Sequence, residues 1–249
     1  MKWMRRYRRY LPYPVLVAVL VWLRPRQAGG SFELDLALDV TGLLIALAGA
    51  ALRFWAWGSN SGPETIDLRR RGPYAVMRHP LYVGNFLILC GMLIIFNNPI
   101  AYLIFLPAFV YMYHSVSAVE EQRMTARLGT VYDDYVRECP NRFLPSLARL
   151  PVAFGSTRPF NWRRAAKKEY ESVLGWLMGA VLLDMYESLL WGSGAAGPQP
   201  LIIVQAGILA VLGGTAAILY LRRHGLLGRR VKSTGDAEGT GASGDMGNR

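Results

Sequence analysis

An all-α membrane protein that crosses the bilayer about six times is the fold class this sequence predicts. Three observations carry that reading. The 249-residue chain is 52% hydrophobic with a mean hydropathy of +0.20, and its apolar residues fall in blocks almost free of charge rather than in amphipathic stripes. Most blocks approach the roughly 20 residues needed to cross a hydrocarbon core of about 30 Å, and backbone groups in lipid must be satisfied within the segment, which selects helices. Finally, the basic residues collect in alternate connecting segments, as positive-inside topology requires.

The blocks run, in order, over 11–23, 36–57, 81–96, 99–119, 172–191 and 199–221. The first and third are short and can borrow flanking residues such as Tyr7 and Tyr10, or Tyr74 and Val76. The first also has the form of a signal-peptide core. No small-x-small site follows it, whereas Arg24 and Arg26 do, so it reads as an uncleaved span. Segments 1–10, 58–80, 120–171 and 222–249 carry five, four, ten and six of the 28 Lys and Arg residues. Arg24 and Arg26 fall opposite, and Arg53 lies within the second block. Both termini and the two large loops are therefore expected in the cytoplasm. Attraction to anionic lipid accounts for the net charge of +11 without a nucleic-acid partner. Cys90 and Cys139 fall at different depths of a reducing topology, which argues against a disulfide.

Four units follow. Residues 1–145 form a core, 146–171 a basic cytoplasmic linker, and 172–223 two additional spans. Residues 231–249 are a tail that ends in "STGDAEGTGASGDMGNR", Gly-rich and without aromatics, for which disorder is expected. Gly207, Gly213 and Gly214 in the sixth block permit close helix packing.

Only Asn97 and Asn98 separate the third and fourth blocks, and Pro99 opens the fourth. Proline at the first helical position is favoured because its missing N–H would be unpaired there anyway. The two blocks thus form a tight hairpin. His79 lies about 18 residues before the turn and Glu120 about 22 after it, so at 1.5 Å per residue they come level within roughly one turn. Beyond Glu121, residues Met124, Leu128, Val131 and Tyr135 repeat at helical spacing, up to a stop at Cys139-Pro140. This helix would bring Tyr132, Tyr135, Arg142 and Phe143 back toward the hairpin.

Pro80 starts the third block, and a helix N-terminus there would favour an anion. Arg78 and His79 add donors, Glu120 and Glu121 add negative charge, and Tyr74, Tyr82, Tyr132 and Tyr135 add aromatic faces that attract cations. Together they suit a zwitterionic or cationic cofactor with an adenine to stack. Taken singly, each residue has a plainer reading: arginine as topology anchor, tyrosine as aromatic belt, paired glutamates as a solvated helix end. Arg53 is either functional or snorkels to the cytoplasmic interface. Asp184 and Glu187 sit toward the opposite side, where helix packing or an outer-edge position fits them better than catalysis.

The run from Gly72 to Pro145 resembles the isoprenylcysteine carboxyl methyltransferase and phospholipid methyltransferase superfamily. The matching residues are "GPY" at Gly72–Tyr74, "RHPLYVG" at Arg78–Gly84, "NPI" at Asn98–Ile100, "EE" at Glu120–Glu121, then Gly129, Tyr132, Tyr135 and "RFLP" at Arg142–Pro145. The resemblance implies a membrane enzyme that methylates a lipid-linked or prenylated acceptor with S-adenosylmethionine. It implies cofactor contacts at Tyr74, His79, Pro80, Leu81, Tyr82 and Glu120, and a further backbone contact region at Ile66 to Arg69; Arg78 and Glu121 join the site from their placement. No metal site and no catalytic base are assigned. In relatives acting on prenylcysteine, an arginine one turn before the first glutamate meets the substrate carboxylate; here that position is Val116. A bacterial cytoplasmic membrane, with the site on the cytoplasmic side, is the expected location. Two other functions are consistent with the residues: a sterol-reductase-like membrane enzyme using NADPH, and a non-catalytic protein retaining the fold.

Overall fold

The computed structural model describes residues 22–25, 32–59, 68, 70–155, 159–191 and 200–223. Seven α-helices occur among them: α1 (Phe32–Gly58), α2 (Pro80–Phe96), α3 (Pro99–Leu128), α4 (Thr130–Glu138), α5 (Leu150–Phe154), α6 (Trp162–Trp191) and α7 (Pro200–Arg223). Short 3₁₀ turns occupy Gly72–Ala75 and Leu147–Arg149. The first apolar block before Trp22 and the tail at 231–249 lie outside the described residues. Two helices, Glu33–Gly58 and Pro99–Leu128, are long and apolar enough to cross a membrane, while Pro80–Phe96 and Gly207–Tyr220 are shorter apolar helices. Only 22% and 11% of the apolar windows of the two long helices are buried, so neither is the core helix of a soluble fold.

α1 and α2 pack closely because glycines face glycines. A methyl group on Gly42 would stand 2.6 Å from the Gly91 carbonyl oxygen, and one on Gly49 would stand 2.5 Å from that of Gly84. The backbones approach where a side chain would hold them apart. Gly207, Gly213 and Gly214 of α7, by contrast, have open space around their Cα atoms. α6 packs on both α1 and α2, and α7 packs on α6.

The hairpin between α2 and α3 forms as expected. Asn97 ends α2 in the left-handed region (φ 45°), a conformation asparagine tolerates, and its N–H bonds back to Leu93 and Ile94 carbonyls. Asn98 caps α3, its side-chain oxygen accepting from the N–H groups of Ile100 (2.9 Å) and Ala101 (3.4 Å). The Asn98 amide also donates to the carbonyls of Leu23 (2.5 Å) and Arg24 (2.8 Å), which fastens the preceding segment to the turn. Leu23, Leu93, Phe96 and Ala101 pack around this point.

One continuous helix was expected from Glu121 to Cys139. The structure breaks it at Gly129, whose φ of 53° favours glycine. α4 sets off in a new direction, burying Tyr132 and Tyr135 and leaving Val131 exposed. The apolar stripe read from Met124 to Tyr135 is therefore two faces on two helices. Among the described residues, Glu187 of α6 is 7% exposed with one carboxylate oxygen unpartnered, within electrostatic range of Asp35, Asp39 and Asp184. Its side chain is thus buried against the neighbouring helices.

A leucine at Gly84 would meet Arg53 Cγ at 2.5 Å and the Gly49 carbonyl oxygen at 2.7 Å. Gly84→Leu is expected to destabilise the protein by about 1–3 kcal/mol or more through overpacking. Thermal unfolding in detergent, compared with Gly214→Leu, checks this; the latter should be near neutral because its Cα faces open space.

Candidate functional site

Three separated stretches converge at the polar end of α3. Its apolar stretch ends at Val119, and Glu120 opens the polar turn. Backbone bonds from the Arg78 N–H to the Asn141 carbonyl and from the His79 N–H to the Arg142 carbonyl, both 3.0 Å, lay "RHP" alongside "NRF". Glu121 closes the arrangement. Its carboxylate accepts from Arg78 Nε (2.9 Å) and from Arg142 Nε (3.1 Å) and Nη2 (2.5 Å), and lies 3.0 Å from His79 Nε2. Arg78 also donates to the carbonyls of Cys139 (2.9 Å) and Pro140 (2.5 Å), which anchors the end of α4. The side chains of Arg78, His79 and Glu121 are 9%, 9% and 13% exposed, so the Arg78–Glu121 ion pair lies largely out of water.

Burial opposes the charge on Glu121, but hydrogen bonds from His79, Arg142 and Arg78 outweigh it and bring the carboxyl down to about 2. Burial, with added repulsion from Glu121, pushes the Tyr132 phenol up to about 12. Burial also raises Tyr135, whose hydroxyl donates to the Tyr74 carbonyl at 2.8 Å. Both phenols stay protonated at neutral pH.

Glu120 turns the other way. It accepts from the Tyr82 hydroxyl at 2.7 Å, sits 3.8 Å from His79 Nδ1, and keeps 44% of its side chain exposed. The His79 and Tyr82 rings stack, 5.3 Å apart and 6° from parallel. Beside them lies a cavity of about 280 Å³ lined by Leu68, Tyr74, Arg78, His79, Leu81, Tyr82, Glu120, Met124, Tyr132 and Tyr135. Of the eight residues singled out in the sequence, Tyr74, Arg78, His79, Leu81, Tyr82 and Glu120 line this cavity. The other two do not: Pro80 opens α2, and Glu121 is taken up by its cationic partners. Of the stretch Ile66 to Arg69, only Leu68 is among the described residues, and it lines the wall. The expected anion site at the α2 N-terminus is narrower than the sequence suggests, since the N–H groups of Tyr82 and Val83 both bond to the His79 carbonyl. A carboxylate with free acceptor capacity between tyrosine rings suits a cationic or zwitterionic molecule.

Arg53 does not simply snorkel. Its guanidinium grips Glu169 of α6 with two bonds, 2.6 and 3.0 Å, and also donates to Asn85. Asn85 donates in turn to the Tyr113 hydroxyl (2.8 Å), and the Tyr113 ring packs on Tyr82 at 4.6 Å. A polar chain thus runs from α6 through α1, α2 and α3 to the cavity wall. Sequence reading missed Asn85, Tyr113 and Glu169. The one signal was an isolated polar Asn85 within an apolar block.

Residues 37–131 match the model of a family described as phospholipid methyltransferase. This segment belongs to the phospholipid methyltransferase family. The family is part of the superfamily that the motifs resemble, and its segment holds all eight singled-out residues as well as Arg53, Asn85 and Tyr113. Arg142 and Glu169 lie beyond it. The chain is also 33% identical over 112 residues to the nickel-cobalt-cadmium resistance protein NccN of Alcaligenes xylosoxydans xylosoxydans, covering 45% of this chain and 52% of the relative. It is 32% identical over 113 residues to the cobalt-zinc-cadmium resistance protein CzcN of Cupriavidus metallidurans, covering 45% and 50%. The chain thus spans about half the length of each of these curated relatives. No solved structure matches it.

Two outcomes follow. Above its ordinary value of 4.5 the charged Glu121 stabilises the fold, and this contribution fades as pH falls toward about 2. The gap in Tm between wild type and Glu121→Gln should be widest at neutral pH, begin to narrow below about pH 4.5 and close toward about pH 2, as read by scanning fluorimetry. Glu169→Ala leaves the Arg53 charge uncompensated; with the two side chains 13% and 1% exposed, the expected loss is about 3–5 kcal/mol in detergent unfolding.

Proposed function

We propose that the chain is an integral membrane methyltransferase that uses S-adenosylmethionine to methylate a lipid-linked or otherwise hydrophobic acceptor. The observation that carries this reading is the cavity at the end of the α2–α3 hairpin, where a tyrosine-held carboxylate stands between aromatic rings on the family segment. In the proposed topology the chain spans the membrane about six times with both termini in the cytoplasm, so the cavity faces the compartment where the cofactor is made.

The residues fit the cofactor. Glu120, oriented by the Tyr82 hydroxyl, has a free oxygen for an ammonium group or a sugar hydroxyl. Tyr74, Tyr82, Tyr132 and Tyr135 offer faces to an adenine or a cation. When bound, S-adenosylmethionine supplies an electrophilic methyl group for in-line displacement. The protein's own part is alignment and exclusion of water. Glu121 does this indirectly, because it holds Arg78, His79 and Arg142 in register around the cavity mouth. A carboxylate acceptor needs no base; for an amine, His79 and Glu120 are the wall groups able to take a proton. Val116, 46% exposed on α3, stands where prenylcysteine enzymes carry an arginine, which favours an acceptor other than prenylcysteine.

The names of the two relatives speak of metal resistance. Among the described residues no group of three or more His, Cys, Asp and Glu side chains is placed to hold a metal ion.

Calorimetry with S-adenosylmethionine on detergent-purified protein tests the site. Wild type should bind, Glu120→Ala should lose binding about tenfold or more, and Tyr82→Phe should weaken it about three- to tenfold. Folded wild-type protein that binds no S-adenosylmethionine, or binds NADPH in its place, would sink the reading.

A further inference from the structure

Tyr82 holds Glu120 at the cavity through a 2.7 Å hydrogen bond, and Glu120 keeps 44% of its side chain exposed. A carboxylate so open is ordered only as well as the ring that holds it. Two aromatic neighbours hold that ring. His79 stacks on it at 5.3 Å and is fixed by Glu121, within the site already described. Tyr113 packs on it at 4.6 Å, and the groups that fix Tyr113 lie outside the cavity.

Phe109 meets the Tyr113 ring at 4.2 Å, and the Asn85 amide holds the Tyr113 hydroxyl at 2.8 Å. The direction of that bond follows from Arg53. A guanidinium has donors and no acceptor, so the Asn85 carbonyl oxygen must face it. The amide nitrogen is then left for Tyr113, whose oxygen accepts. Arg53 is fixed in turn by Glu169, with both carboxylate oxygens engaged and the two side chains 13% and 1% exposed. The stem of Arg53 crosses α2 over Gly84, where a Cβ would stand 2.5 Å from Arg53 Cγ. Oriented hydrogen bonds therefore run unbroken from Glu169 to Tyr113, with little water to compete for them. Glu169 lies on α6, beyond residues 37–131, whereas Arg53, Asn85 and Tyr113 lie within them.

We infer that Glu169, Arg53, Asn85 and Tyr113 are positioning residues of the hairpin site: they lock the Tyr82 ring, and through it Glu120, in the placement that receives a cationic cofactor. A helix outside the family segment thereby sets the affinity of a cavity that it does not line. Ordering Glu120 beforehand removes that cost from the binding step. The effect on affinity rests on the S-adenosylmethionine site proposed above; the hold on Tyr82 does not.

Two readouts on the full chain in detergent test it. In fluorine NMR of protein labelled with 3-fluorotyrosine, the Tyr82 signal is identified by its loss in Tyr82→Phe. Glu169→Gln keeps the side-chain shape and removes the counter-charge of Arg53, and should shift or split the Tyr82 signal from a different helix. In a Tyr113→Phe background, where the chain is already cut, Glu169→Gln should move that signal no further. Lys168→Gln, an exposed neighbour off the chain, should leave it in place. By calorimetry, Glu169→Gln and Tyr113→Phe should each weaken S-adenosylmethionine binding about three- to tenfold. Their losses should not add to each other or to that of Tyr82→Phe, because all three act through one chain, whereas independent structural damage would add. A Tyr82 signal that ignores Glu169→Gln, wild-type affinity in either folded variant, or losses that add would overturn the inference. Folded wild type that binds no S-adenosylmethionine removes the cofactor reading alone, and the Tyr82 signal then decides whether the four residues position it.

Discussion

The candidate site depends on the Glu121 carboxylate. Three donors reach it from two chain stretches that are far apart in sequence: Arg78 and His79 before α2, and Arg142 after α4. A half-buried carboxylate that accepts from so many donors is held charged, and the guanidiniums it neutralises are spared the cost of burial without a partner. Successive residues on a helix point about 100° apart. With Glu121 turned to the cations, Glu120 must turn elsewhere, and it meets Tyr82 at the cavity. One carboxylate builds the site and its neighbour is left free to serve it.

A second constraint lies within the bundle. The glycine contacts bring α1 against α2, and Arg53 of α1 reaches Asn85 of α2 on one side and Glu169 of α6 on the other. Glu169 belongs to α6, beyond the family segment. The added helix is thus not merely appended. It supplies the counter-charge for an arginine of the family segment.

Sequence reading reached the hairpin and the meeting of "RHP" with "EE" because both follow from local rules: a two-residue turn, a proline at a helix start, and a fixed rise per residue. It did not reach the division of labour between Glu120 and Glu121, since adjacent glutamates look alike until their partners are in place. It carried the helix after Glu121 through Gly129, because a periodic stripe does not report a single residue at positive φ. It noted that Gly207, Gly213 and Gly214 permit close packing; among the described residues the glycine close approach is between α1 and α2. Glycine allows proximity but does not choose the partner.

By itself, then, the sequence determined the helical class, two blocks that form helices long and apolar enough to span, the hairpin, and the residue types gathered at its polar end. These rest on composition, periodicity and spacing, which are properties of neighbouring residues. Only the tertiary structure decided that Glu121 ties the motifs together while Glu120 faces the cavity, that Arg53 is held by Glu169, and that α6 packs on both α1 and α2. Each of these joins residues from separate helices, and such pairings are set by the packing of the whole bundle.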